Sequence, residues 1–173
     1  MMRTSRRTML LAAAGLPLAG GAGFARTGAE SAGMPLLLFD PATAEGRRFA
    51  DHARALGLAA IAIEGDRVRF TAPLLAQRPQ RIVGVTRHAD RLLIGGMAAE
   101  AGYRERLAVR HSAGRCTTTA CDGWSRTGAF LAGSADAWPE ALAALAGGRT
   151  ALTEGGVRAA PADAAGWILT LLA

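Results

Sequence analysis

Residues 35–39 (PLLLF) and 58–63 (LAAIAI) are two continuous apolar runs, and they flank a segment whose apolar residues recur at helical spacing. Short apolar runs bounded by turn residues are typical of strands that are covered on both faces. Asp40 follows the first run and is suited to cap a helix, and Gly57 is suited to end one. The sequence therefore predicts a strand, a helix over 41–56 and a second strand parallel to the first.

The later segments repeat this alternation less clearly. Apolar runs predict strands at 81–85, 107–110, 130–131 and 167–172, and a helix over 139–146. For two segments, the sequence is consistent with more than one secondary structure. Residues 66–77 are a helix, which we prefer, or partly the arm of a hairpin, and residues 87–102 are a helix weakened by Gly95 and Gly96 or include a strand at 91–94.

Strands that alternate with helices predict a single α/β domain over residues 34–173. The expected architecture has three layers, with a mostly parallel sheet between two layers of helices. A flavodoxin-like or Rossmann-like topology is the expectation. In such a sheet, ligands bind beyond the carboxyl ends of the strands.

The first 25 residues have the order of an export signal. Ser5-Arg6-Arg7-Thr8-Met9-Leu10 leads from a basic start into residues 9–25, which carry no charge and are interrupted by Pro17. This box resembles the signal peptides of the bacterial twin-arginine (Tat) export pathway. The resemblance implies cleavage near residue 25, export of the folded chain to the periplasm, and the Tat translocase as a partner during export.

A permanent membrane anchor is not expected from this leader, because a spanning helix needs about 20 strongly apolar residues. Nucleic-acid binding is also disfavoured. All 20 basic residues are arginines, and they are scattered among few aromatic residues. Without residues 1–25, the chain has 17 arginines against 14 acids, a net charge of +3.

Polar residues follow several predicted strands, and they form the candidate ligand-binding set. The set comprises Asp40, Asp66, Thr86, Arg87 and His88. Thr86 is placed to cap a helix whose amino end, together with Arg87, can hold a phosphate or carboxylate, and His88 can move a proton. Against this reading, Asp40, Asp66 and Thr86 are also ordinary helix caps.

Residues 111–125 read as a long loop that holds both cysteines, Cys116 and Cys121. In an oxidising compartment these two predict a disulfide. A weaker alternative is a zinc or copper site made of His111, Cys116 and Cys121, with an open fourth position. The four-residue gap between the cysteines departs from the Cys-x-x-Cys spacing of thiol redox proteins.

No glycine-rich nucleotide motif, P-loop or nucleophile elbow is present, so no cofactor is expected. The leading hypothesis is an accessory or binding protein of the cell envelope, for a partner enzyme or a small anionic ligand. The alternatives are a small periplasmic enzyme that uses the acids and histidines, and a metal-binding protein. An enzyme requires the candidate residues in one pocket, whereas a partner-binding protein requires an exposed apolar patch.

Overall fold

The computed structural model describes residues 33–112, 115–149 and 164–172. The segments between the two apolar runs and after them form the expected alternation as far as residue 112. In chain order, the elements are β1 (Leu36–Phe39), α1 (Ala44–Ala55), β2 (Ala60–Ala62), α2 (Arg67–Ala76), β3 (Arg81–Arg87), α3 (His88–Glu100), β4 (Tyr103–Ser112), β5 (Arg115–Ala120), α4 (Ser125–Gly133), a 3-10 turn (Ala135–Ala137), α5 (Trp138–Ala146) and β6 (Ala164–Leu171).

The six strands form one mixed sheet in the order β2-β1-β3-β6-β4-β5. Strand β1 is parallel to β2 and β3, as the sequence predicted for the first two strands, but the pairs β3–β6, β6–β4 and β4–β5 are antiparallel. The predicted mostly parallel, flavodoxin-like or Rossmann-like sheet is therefore wrong. The reason is that β6, the last strand in sequence, inserts between β3 and β4 in the opposite direction, which an apolar run alone does not reveal.

Two further sequence predictions are wrong in the middle of the chain. Phe130 and Leu131, read as a strand, lie in α4, and most of the predicted loop 111–125 belongs to the β4–β5 hairpin. Strand β5 was missed because its centre, Thr117 to Thr119, has no apolar alternation, although threonine favours strands. Both ambiguous segments are helices, which confirms the preferred helix near 66–77.

Helices cover both faces of the sheet. Helices α1, α4 and α5 pack on one face, called here the α1 face, where Phe49 and Leu142 are fully buried. Helices α2 and α3 pack on the other, the α2 face, where Ile94 and Trp167 are buried. Because side chains alternate along a strand, successive residues of β1 enter the two cores in turn. None of the helices in the described ranges is long and apolar enough to cross a membrane.

Two glycines in the central β3–β6 pair make room for tryptophan rings. Gly84 lies directly opposite Trp167, and a Cβ added at Gly84 would overlap the indole ring of Trp167 on the α2 face. On the α1 face, a Cβ added at Gly166 would lie 2.6 Å from Cζ3 of Trp138. The two glycines therefore allow one large aromatic side chain to lie flat against each face of the sheet.

Substitution of Gly84 by alanine is expected to lower the free energy of unfolding by about 1–3 kcal/mol, because the new methyl group meets the buried ring of Trp167. The matched control is Gly96→Ala in α3, where nothing lies within 4 Å of an added Cβ. That change is expected to be neutral or to stabilise by up to ~1 kcal/mol, through helix propensity. Urea unfolding of both variants measures the contrast, and equal midpoints would contradict it.

Candidate functional site

Asp40 and Arg87 meet at one edge of the sheet, where the parallel strands β1 and β3 end. The backbone N–H of Asp40 donates to the carbonyl oxygen of Val85 at 2.9 Å, which continues the ladder past β1. The Asp40 side chain is only 2% exposed. Its Oδ1 accepts from the Ala42 N–H at 2.9 Å, and its Oδ2 accepts from Arg87 Nε at 2.7 Å.

The contact between Asp40 and Arg87 extends into a chain of four charged residues. Arg87 also donates to Oδ2 of Asp90 at 3.3 Å, and Asp90 in turn accepts from Arg67 Nε at 3.3 Å. The alternating set Asp40, Arg87, Asp90 and Arg67, called here the edge network, joins β1, β3, α3 and α2. The hydrogen bond and the negative charge of Asp40 raise the pKa of Arg87, so its guanidinium stays charged.

The edge network contains two arginines and two aspartates, so its formal charges cancel. An anion that binds Arg87 must compete with two carboxylates that already hold it. Asp90 and Arg67 were not among the candidates from the sequence. The i, i+3 spacing of Arg87 and Asp90 at a helix start was the one local signal for this part of the network.

Thr86 is buried, and both roles of its hydroxyl group are occupied. The hydroxyl oxygen accepts from Nε1 of Trp167 at 3.0 Å, and the hydroxyl donates to the carbonyl oxygen of Arg87 at 3.0 Å. The predicted cap role of Thr86 is wrong, because β3 continues through Arg87 and α3 begins at His88 without a side-chain cap. Thr86 therefore orients Trp167, and its bonds leave no obvious site for a ligand.

Asp66 is the amino-terminal cap of α2, in agreement with the ordinary reading of this residue. Its Oδ1 accepts from the backbone N–H groups of Val68 and Arg69 at 2.9 and 3.1 Å. The Asp66 side chain is 57% exposed and is not part of the edge network. Of the five candidates, the structure thus joins Asp40 to Arg87 alone, and it leaves Asp66 outside.

His88 is the first residue of α3 and is half-buried. Its Nδ1 atom is buried, and it has no hydrogen-bond partner among the residues that the structure describes. A general base needs a group that orients the imidazole and a substrate within reach. Within the described ranges, no carboxylate forms an ion pair with His88, so this orienting group is missing.

The cysteines lie at opposite ends of β5. Cys116 is the second residue of the strand and packs against the core of the α1 face, whereas Cys121 follows the strand and its thiol donates to the carbonyl oxygen of Glu105 at 3.1 Å. Five residues of extended chain span roughly 16 Å, and a disulfide needs Cα atoms within about 7 Å. The predicted disulfide between Cys116 and Cys121 is therefore absent from the structure.

The same separation bears on the three-ligand metal site. His111 lies opposite Cys116 in the β4–β5 register, but Cys121 is at the far end of the strand. Across the described part of the chain, no group of three or more histidine, cysteine, aspartate or glutamate side chains is placed to hold a metal ion. The described residues therefore give no support to a metal site made of His111, Cys116 and Cys121, and this alternative stays a prediction.

An apolar groove runs between α2 and α3, which lie side by side and run in the same direction. Its volume is about 470 Å³. Its apolar lining consists of Ala72, Leu75, Ala76, Met97 and Ala101, with Arg78 and Glu100 at the carboxyl ends of the helices. Three apolar residues of the same helices do not line the groove and lie nearer the amino ends: Val68, Leu92 and Leu93, which are 48%, 58% and 42% exposed. None of the five candidate residues from the sequence lines this groove.

A second recess of about 70 Å³ lies between α1, α4 and α5 and brings together His52, Ser134 and Glu140. These residue types can form a catalytic triad, but their groups have other partners here. Ser134 donates to the carbonyl oxygen of Phe130 at 2.9 Å, and Glu140 accepts from Arg48 at 2.7 and 2.9 Å. The recess therefore serves packing between the helices.

Comparisons with known proteins add no relative: no protein-family model, curated protein or solved structure matches this chain. The functional assignment consequently depends on the residues and contacts of this chain alone.

Asp40→Asn is expected to lower the free energy of unfolding by about 1–2 kcal/mol, because it removes the charged acceptor of Arg87 from a buried position. The matched control is Asp51→Asn, whose ion pair with Arg54 is equally short, 2.6 Å, but exposed on both sides. The control is expected to change stability by less than ~0.5 kcal/mol. Equal losses in chemical denaturation would show that burial of Asp40 has no energetic importance.

Both cysteines are expected to react with iodoacetamide when the protein is denatured without a reductant, giving two adducts by mass spectrometry. In the native protein at pH 8, Cys116 is expected to react slowly, because burial raises the pKa of its thiol and lowers its thiolate fraction. If the adducts appear only after prior reduction, the two cysteines are joined by a disulfide and the absence of that bond from the structure is wrong.

Proposed function

We propose that this chain is an exported accessory protein of the cell envelope, which binds a partner protein through the groove between α2 and α3. The observation that carries the proposal is the exposure of Val68, Leu92 and Leu93 on the helices that form this apolar groove. Exposed apolar surface of this kind, rimmed by charged residues, is typical of protein interaction sites.

The two walls of the groove have matching patterns. Val68, Ala72 and Ala76 recur every four residues on α2, and Leu93, Met97 and Ala101 do so on α3. Residues spaced in this way lie on one side of a helix. The α2 row is one valine followed by two alanines, and the α3 row is leucine, methionine and then alanine, so the side chains become smaller towards the carboxyl ends of both helices.

The dimensions of the groove suit an apolar segment of a partner. Helix α2 has ten residues and is therefore about 15 Å long. This length accommodates two to three turns of a helix, with one apolar side of that helix turned into the groove. Because Leu92 and Leu93 are about half exposed, burial of each contributes on the order of 1 kcal/mol to binding.

The charged residues near the groove favour a protein segment over a small anion. Arg67 and Asp90 pair with each other at the amino ends of α2 and α3, and Arg78 and Glu100, of opposite sign, line the groove near the carboxyl ends. This balance provides no excess positive charge for a phosphate or carboxylate. The groove is therefore better matched to an apolar peptide surface with a few polar groups at its margins.

The enzyme hypothesis receives less support from the same residues. Asp40 and Arg87 hold each other, Thr86 holds Trp167, and Asp66 caps α2. An acid–base site requires side chains that are available to a substrate. Export through the Tat pathway rests on the leader with Arg6 and Arg7, and it makes the periplasm the expected location of the complex.

Photo-crosslinking in the producing cell tests this function. A benzophenone amino acid at Leu92 is expected to give one discrete adduct whose partner is an exported protein, whereas the same group at Ala55 is expected to give none. Ala55 is the matched control because it is exposed on α1, on the opposite face of the sheet. Mass spectrometry identifies the partner, and titration of the purified pair then measures the dissociation constant.

Leu93→Glu is expected to abolish the adduct at position 92 and to weaken binding of the identified partner at least tenfold, because it places a charge on the exposed apolar surface of α3, one turn from the groove residue Met97. Circular dichroism is expected to stay unchanged, since Leu93 is exposed in the unbound protein. Equal adducts at positions 55 and 92, or full binding by Leu93→Glu, would refute the groove as the binding surface.

A further inference from the structure

Three arginines surround one hydroxyl group at the end of the sheet where β1 and β3 begin. Thr170, near the end of β6, lies directly opposite Arg81 of β3 on one side and Arg104 of β4 on the other. Arg106 donates from Nε to the hydroxyl oxygen of Thr170 at 2.7 Å. Arg81, Arg104 and Arg106 are called here the arginine cluster. They lie at the other end of the strands from the edge network.

The arginine cluster and Thr170 are on the α1 face of the sheet. Leu169 and Ile82 are buried in the core of the α2 face. Because side chains alternate along a strand, their neighbours Thr170 and Arg81 lie on the α1 face. Directly opposite residues of antiparallel strands share a face, so Arg104 lies there too. The cluster and the α2–α3 groove are therefore on opposite faces.

An irregularity in β4 brings the third arginine to the same place. The pairing of β4 with β6 shifts between Glu105 and Leu107, and Arg106 is the extra residue at this shift. In a regular strand, the side chains of Arg106 and Leu107 would point to opposite faces. The irregularity allows Arg106 to reach Thr170 on the α1 face, where Leu107 is also buried.

No carboxylate pairs with the arginine cluster within residues 33–112, 115–149 and 164–172, where the ion pairs involve other arginines. Glu105, beside two cluster members in sequence, is held on the other face by Arg91 at 3.0 and 2.6 Å. Asp122, in the turn after β5, is exposed and forms no ion pair with the cluster. The three guanidinium groups therefore keep their positive charges without a partner acid in this part of the chain.

The spacing of these groups suits an anion with several oxygen atoms. Arg81 and Arg104 are separated by two strand spacings, so their Cα atoms are about 10 Å apart. Arginine side chains are long enough to meet above the strand between them. The Thr170 hydroxyl accepts from Arg106, and its hydrogen has no acceptor among the described residues. This hydroxyl group can therefore donate to an oxygen of the bound anion.

We propose that the arginine cluster binds a phosphate group, carried either by a soluble phosphate ester or by a lipid headgroup. A guanidinium group stays charged and presents paired N–H donors that match two phosphate oxygens. A phosphate group offers more acceptor oxygens than a carboxylate, so it can engage all three arginines and Thr170. Its negative charge also offsets the repulsion between like charges on adjacent strands.

Calorimetric titration of the full chain with inorganic phosphate at low ionic strength tests this site. The wild-type protein is expected to bind one phosphate, and Arg104→Gln and Arg106→Gln are each expected to weaken binding at least tenfold. Arg69→Gln is the matched control, because it removes the same charge from α2, where the Arg69 side chain is 89% exposed. Equal losses in all three variants would show attraction to net charge only and would overturn the proposal.

The hydroxyl group of Thr170 can be tested without a change of charge. Valine has a similar shape and favours strands, so Thr170→Val is expected to keep the circular dichroism spectrum of the wild type. Its phosphate binding is expected to be weaker, because Arg106 loses its acceptor and the anion loses a donor. Thr170→Ser keeps the hydroxyl group and is expected to retain binding. Equal binding by the valine and serine variants would contradict a site centred on Thr170.

Vesicles distinguish the two carriers of the phosphate group. If the carrier is a lipid, the wild-type protein is expected to sediment with vesicles of equal parts phosphatidylcholine and phosphatidylglycerol, and Arg104→Gln is expected to stay in solution. Binding of inorganic phosphate without sedimentation would assign the site to a soluble ester. Failure to bind either probe would overturn the proposal.

The Leu93→Glu variant is expected to bind phosphate as the wild type does, because the groove and the arginine cluster lie on opposite faces. Loss of phosphate binding in that variant would contradict the separation of the two sites. Failure of the phosphate site leaves partner binding at the groove unaffected.

Discussion

The antiparallel pairing of β3 with β6 is the interaction on which the rest of this structure depends. It brings Gly84 under Trp167 on one face, and on the other face Trp138 of α5 packs over Gly166 of β6. Each buried indole removes roughly 150–250 Å² from water, which at about 25 cal/mol per Å² stabilises the fold by about 4–6 kcal/mol before entropy is counted. A glycine within a strand lowers stability by only about 0.5–1 kcal/mol. The stabilisation from burying an indole ring is therefore larger than the loss from the glycine that makes room for it. Both cores are built around these rings.

The same pairing determines which surfaces the protein presents. Because β6 inserts between β3 and β4, it separates the parallel half of the sheet from the β4–β5 hairpin and makes β5 the last strand in the order formed by the described residues. The indole N–H of Trp167 donates to the hydroxyl oxygen of Thr86, so Thr86 is not available to a ligand. The end of β3 then places Arg87 beside Asp40, and the edge network ties the two parallel strands to α2 and α3.

Polar residues at the ends of strands thus have structural roles in the described part of this chain. Asp40 is buried and must be paired, since an isolated buried carboxylate is costly. Arg87 and the Ala42 N–H meet that need without a ligand. Among the described residues, the apolar groove between α2 and α3 remains a surface that these pairings do not occupy.

From its sequence alone, the chain could be assigned an α/β class, the first strand–helix–strand unit and the cap role of Asp66. These features follow from local periodicity and local hydrogen bonds, which residues close in sequence determine. The direction and position of β6, the hairpin strand β5 and the separation of Cys116 from Cys121 could not be predicted in the same way. They depend on pairings between distant segments, where packing of Trp167 on Gly84 outweighs local preference. The occupied state of the candidate ligand-binding residues could not be predicted for the same reason. Arg87 pairs with Asp40, which is 47 residues away in sequence, and only the tertiary structure brings the two together.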